Sequence, residues 1–151
     1  MVRNLMMILS LMAATVGACA SGESAATQAL LPPAVAAGRL EFEVEVGPLL
    51  ASKCGDSACH GRPQRPFTLF ATGARRQDPI ETHLKTALKP TEVNANYAAT
   101  LGFIDSLQPR HTTLLKKSVG LLGHGGGPTF EAFSDPAPRA IAAWLTGMEA
   151  P

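Results

Sequence analysis

The chain has 151 residues, with 13 lysines and arginines against 12 aspartates and glutamates, and a hydrophobic fraction of 46%. That composition excludes a disordered chain and suits one globular domain, and the near-neutral balance gives no electrostatic basis for nucleic acid. Three cysteines are too few for a disulfide-dense scaffold.

Residues 1–18, MVRNLMMILSLMAATVGA, carry one cation, Arg3, and then an apolar stretch from Leu5 to Val16. It is too short for a membrane-spanning helix and suits the core of a signal peptide. Val16-Gly17-Ala18-Cys19 resembles the bacterial lipobox, in which the cysteine becomes the lipidated first residue of the mature chain. The competing reading is an ordinary secretory leader cleaved near Ala20. Cleavage before Cys19 removes Arg3 and no acid, so the formal charge falls from +1 to zero, and Met148 is left as the sole methionine. The expected protein is a lipoprotein, exported and lipid-anchored to the cell envelope, facing the periplasm or the cell surface. Multiple acyl chains hold a protein on a membrane surface almost permanently.

Residues 19–38 are small, polar or proline-bearing and read as a flexible tether. The folded domain is expected over 39–151. Leu40 to Leu50 is ambiguous. Leu40, Phe42, Val44 and Val46 alternate with glutamates as in a strand, while Phe42, Val46, Leu49 and Leu50 share a helical face. We favour the helix, with Pro48 in its first turn. Asp78-Pro79-Ile80-Glu81 predicts a helix start, with Ile80, Leu84 and Leu88 on one face and Pro90 ending the run. Tyr97, Leu101, Ile104 and Leu107 predict a helix ending near Pro109, and Thr112 or Thr113 can cap a short one through Lys117. Gly120 to Pro128 is a glycine-rich loop. Ser134-Asp135-Pro136 opens a last helix with Ile141, Trp144, Leu145 and Met148 as its apolar stripe. No hairpin dipeptide separates two alternating runs, so the expected fold is all-α, with short helices and long loops.

The chemistry concentrates in Cys54-Gly55-Asp56-Ser57-Ala58-Cys59-His60-Gly61. Two thiols, the second followed directly by a histidine, have the order of the c-type haem signature C-x-x-C-H but the spacing C-x4-C-H, two residues longer. Thiols add to the vinyl groups of haem as thioethers, and the adjacent imidazole supplies the proximal nitrogen to iron. Cys54 and Cys59 are therefore the candidate attachment sites and His60 the candidate proximal ligand for one heme c. Gly55, Asp56 and Ser57 are good loop residues for the widened spacing. Three other readings stand beside this one: a Cys54–Cys59 disulfide in an oxidising compartment, a zinc site needing two further ligands, and chance. A buried porphyrin would also give Leu49, Leu50, Phe67, Leu69 and Trp144 a flat apolar body to pack against.

Met148, His83, His111 and His124 are the candidates for the opposite axial position. His124 is preferred, because its glycine-flanked backbone can approach a flat ring closely. His111 is the reserve. Arg62, Arg65, Arg75 and Arg76 follow the motif and can pair with haem carboxylates or an acidic partner, although a solvated loop explains them more simply.

Taken in order, Phe42-x3-Val46-x-Pro48-Leu49-Leu50, Cys54 to Gly61, Phe67-x-Leu69, Thr113-Leu114-Leu115-Lys116, His124-Gly125-Gly126-Gly127 and Trp144-Leu145-x-Gly147 resemble the planctomycete-type cytochrome c domains over residues 40–151. The widened cysteine spacing is the main departure. The resemblance implies a small cytochrome c-like helical fold, covalent haem and single-electron transfer to redox partner proteins, with no catalytic residues. The alternatives are a haem-free, disulfide-closed lipoprotein acting as a binding or assembly module, and a haem protein with an open sixth site and a peroxidase-like or sensory role.

Overall fold

The computed structural model describes residues 38–105, 108 and 112–148. Among them there are helices, turns and loops and no strand. The first helical run, α1, joins Arg39–Glu41, a π-helical Phe42–Val46 and an α-helical Gly47–Cys54. Helix α2 spans Pro90–Leu101, α3 Thr113–Ser118 and α4 Pro136–Gly147, and a 3-10 turn covers Pro79–His83. No helix among the described residues is long and apolar enough to cross a membrane.

In α1 the helical period prevails over the alternating one. Phe42, Val46 and Leu50 are buried, whereas Leu40 and Val44, which a strand would have placed with them, are 67% and 73% exposed. Pro48 stands in the first turn of the α-helical part, as its fixed φ favours, yet the run continues through it. Proline lacks an N–H and its ring excludes the carbonyl four residues back. The chain accommodates this by widening just before it, and the Gly47 N–H donates to the Phe42 carbonyl five residues behind.

The core forms where α1 meets α4 and α2. The Phe42 ring lies edge-on to Tyr97, with centroids 5.0 Å apart, and tilted 5.5 Å from Trp144. Ile141, Leu145 and Met148 complete the α4 stripe, and Leu114 and Leu115 of α3 pack into the same cluster. Full burial of one such side chain contributes ~1.5–3 kcal/mol. The caps of α3 and α4 fall at the expected positions: Thr112 Oγ1 accepts from the Leu115 N–H at 3.3 Å, and Asp135 precedes the first turn of α4.

The stretch from Asp78 to Pro90 departs from expectation. Asp78 does cap, accepting from the Ile80 N–H at 3.0 Å, but the turn ends at His83 and Ile80 is 81% exposed. The cause is Arg76. Its buried guanidinium grips Glu92 through Nε at 3.0 Å and Nη2 at 2.9 Å, then takes the Thr86 hydroxyl at 2.9 Å and the Ala87 carbonyl at 3.1 Å. Those contacts need residues 84–89 drawn out around it. Pro90 accordingly opens α2, and the Glu92 carboxylate reaches back to the Lys89 N–H at 2.8 Å. The helix expected to run towards Pro109 stops at Leu101, and Leu107 and Pro109 lie outside the described residues.

Candidate functional site

Cys54 ends α1, and the residues after it curl into a closed loop. The Asp56 side chain accepts from the Ala58 N–H at 2.7 Å, and its carbonyl accepts from the Cys59 and Gly61 N–H groups, both at 2.9 Å. The His60 N–H then closes on the Cys54 carbonyl at 3.0 Å. These bonds absorb the widened spacing. Gly61 is required for sterics: a Cβ there would lie 2.5 Å from the Gly55 carbonyl oxygen and 2.8 Å from that of Asp56. Both sulphurs are free thiols, Cys54 buried and Cys59 exposed. Burial, reinforced by the neighbouring Cys59, pushes the Cys54 thiol up to about 11.

The half-buried His60 is held by the strap that follows it. Its Nδ1 lies 2.8 Å from the Phe67 carbonyl oxygen. A carbonyl only accepts, so Nδ1 carries the hydrogen, and in the neutral ring Nε2 keeps a lone pair. The Leu69 N–H returns to the His60 carbonyl at 2.7 Å. Behind the strap, the buried Asn96 carboxamide of α2 accepts from the Phe70 N–H at 2.7 Å and donates to the Phe70 carbonyl at 2.9 Å. Burial holds the His60 imidazole below its ordinary pKa. The Phe67 bond opposes that shift, and the charges of His124, Arg65 and Lys117 add to it.

His124 is fixed in the same manner. Its Nδ1 donates to the Gly127 carbonyl at 2.7 Å while the Gly127 N–H donates back to the His124 carbonyl at 2.9 Å. Gly127 adopts φ +74°, a conformation glycine takes without penalty. The loop is pinned at its far side, where the Thr129 and Phe130 N–H groups share the Ser118 carbonyl.

These two histidines, 64 residues apart, meet. Their Nε2 atoms are 3.4 Å apart, the rings are parallel within 9° and the centroids lie 5.7 Å apart. The difference, 2.3 Å, is about twice the ~1.1 Å radius of a five-membered ring with ~1.33 Å bonds. The nitrogens therefore lie on the line between the centroids, and the rings face each other end to end rather than face to face. With both Nδ1 atoms anchored to carbonyl oxygens, the two Nε2 atoms are aimed at one another. An ion between them requires ~4 Å, from two bonds of ~2.0 Å, so the loops need to part by about half an ångström.

A cavity of about 470 Å3 surrounds the pair, within the ~300–1,000 Å3 of small-molecule sites. Both thiols line it, with Leu50, Phe67, Phe103 and Leu114 as its apolar walls. Gly125 and Gly126 also line it, and a Cβ on either would meet nothing within 4 Å, so the loop leaves room beside His124. Among the described residues there is no group of three or more His, Cys, Asp or Glu side chains disposed for a metal ion.

The remaining residues singled out in the sequence land elsewhere in the molecule, as particular contacts explain. Leu50 and Phe67 wall the cavity, but Leu49, Leu69 and Trp144 do not; Trp144 donates to the Gly38 carbonyl at 2.7 Å inside the helical core. Met148 is buried in that core and His83 is exposed on the 3-10 turn. Arg76 is neither a solvated loop residue nor free for an incoming anion, because Glu92 holds it. Cys19 and His111 lie outside the described residues. Phe103, Lys117 and Thr129 join the cavity without having been expected there; the recurrence of Thr113, Leu114, Lys117 and Ser118 on one face of α3 was the available signal. Comparison with known protein families, curated proteins and solved structures finds no match for this chain.

Proposed function

We propose that the chain is a membrane-tethered, exported c-type cytochrome, a single-haem electron carrier with a cytochrome c-like fold. Cys54 and Cys59 would hold the porphyrin covalently, and His60 and His124 would hold its iron. The observation that carries this reading is the end-to-end pair of imidazoles, each anchored at Nδ1, in an apolar cavity that also holds both thiols. Bound there, an iron porphyrin supplies reversible one-electron exchange.

The chain's own residues then have definite tasks. The Phe67 and Gly127 carbonyls fix the orientation of the two rings and leave each Nε2 for the iron. Leu50, Phe67, Phe103 and Leu114 keep water from the ligand faces. An iron held by two protein nitrogens would favour electron transfer to a redox partner over activation of a small molecule. The leader over residues 1–18 and Cys19 support export and lipid anchoring.

The test is a pyridine haemochrome spectrum and an intact mass on the full chain exported from a bacterium able to attach haem. The expected result is a haem c spectrum and a mass gain of one haem. A colourless polypeptide lighter by two hydrogens overturns the proposal in favour of the Cys54–Cys59 disulfide. In the coloured protein, His124→Ala converts the spectrum from low to high spin. An unchanged low-spin spectrum removes His124 from the iron.

A further inference from the structure

The cavity carries two cations that neither axial ligation nor covalent attachment uses. Arg65, from the loop after His60, and Lys117, from the last turn of α3, both line it. The other arginines that follow the cysteine motif have partners of their own. Arg62 Nε donates to the Ser57 carbonyl at 3.1 Å, the Arg75 guanidinium lies 4.3 Å over the Phe70 ring, and Arg76 is bound to Glu92. Ion pairs among the described residues engage Arg39, Arg76 and Lys89, and none engages Arg65 or Lys117.

Two like charges at one largely apolar cavity, from elements far apart in sequence and with no carboxylate between them, form a focused positive field. The field suits a ligand that is apolar over most of its area and anionic at one edge.

We infer that Arg65 and Lys117 form a carboxylate-binding rim, and that the flat ligand of this cavity lies with its acidic side chains against them. The inference rests on the haem reading and specifies which edge of the porphyrin the chain recognises. Arg65 offers a planar fork matched to a carboxylate, and Lys117 a compact point charge. Both side chains are exposed at the rim, so their replacement leaves the core untouched.

The experiment titrates the full chain, purified without cofactor, with ferric protoporphyrin IX and separately with its dimethyl ester, following the low-spin Soret band. The parent chain is expected to bind the diacid about tenfold more tightly than the diester, the scale of two partly exposed charge pairs, and the preference weakens with added salt. In the Arg65→Gln, Lys117→Gln double variant the two affinities converge, whereas Arg62→Gln keeps the preference. Thermal melts verify that all variants fold. A double variant that still prefers the diacid, or a parent that binds both compounds equally, overturns the rim. A parent that binds neither overturns the haem reading itself and the inference with it.

Discussion

Asn96 holds the histidine strap from behind, and removing its carboxamide tests that support. Asn96→Ala leaves the Phe70 N–H and C=O without the partners they have at 2.7 and 2.9 Å. A buried backbone group that loses its partner costs ~1–3 kcal/mol. Phe70 is half-buried and water can reach part of it, so the expected loss is about 2–4 kcal/mol. With a urea slope of ~2 kcal/mol/M, the middle of the usual range, the unfolding midpoint falls by roughly 1–2 M. The same change loosens the Phe67 carbonyl, so the His60 Nδ1–H should exchange faster with solvent in NMR spectra. Asn96→Asp gives a control with the opposite pH trend. Its carboxylate still accepts from Phe70 N–H but opposes the Phe70 carbonyl oxygen, and protonation restores a donor, so this variant regains stability relative to the parent on acidification. An Asn96→Ala midpoint within ~0.3 M of the parent, about the uncertainty of such fits, refutes the reasoning.

Three further outcomes are expected. Although burial alone would raise it, Glu92 is held down at about 2 by the Arg76 guanidinium and the Gln77 and Lys89 N–H groups. Its folded pKa is thus depressed, and the stability it provides is complete above about pH 4.5 and is lost as the pH falls towards 2; urea midpoints across that window should show the loss, and Glu92→Gln should flatten it. In the cofactor-free chain Cys59 should be alkylated first by iodoacetamide at pH 8. A rise of Cys54 from 9.0 to about 11 cuts its thiolate fraction about a hundredfold, and peptide mass spectrometry reads the order. Gly61→Ala, which drives a Cβ against two backbone oxygens, should destabilise the protein by ~1–3 kcal/mol or more. Gly126→Ala, where a Cβ meets nothing, should leave the melting temperature almost unchanged.

Where the determinants are local, the sequence carried them. Phe42, Val46 and Leu50 repeat every four residues and all three are buried; Ile141, Trp144, Leu145 and Met148 form the stripe read for α4. Between Asp78 and Pro90 the local signals were genuine but outweighed. Asp78 caps a turn, yet Arg76 draws the following backbone out towards Glu92, 16 residues away in sequence, and no window of helical periodicity contains that pair. Pro90 is as compatible with a helix start as with a stop, and the Glu92 carboxylate decided between them. At the site, His60 followed from its place beside Cys59 and His124 from its glycines. Their anchors were not legible, because Phe67 and Gly127 hold the two Nδ1 atoms through carbonyl oxygens, which every residue possesses.

The two halves of the proposed grip differ in when they can exist. Cys54, Cys59 and His60 are complete within seven consecutive residues, so they are available before the rest of the domain has folded. His124 follows 64 residues later and reaches the pair only after α3 and its glycine loop have formed. Short-range contacts form before long loops close. Bond-making at the sulphurs can thus precede the final collapse, with the second imidazole acting as the latch that shuts once the rest of the chain has arrived.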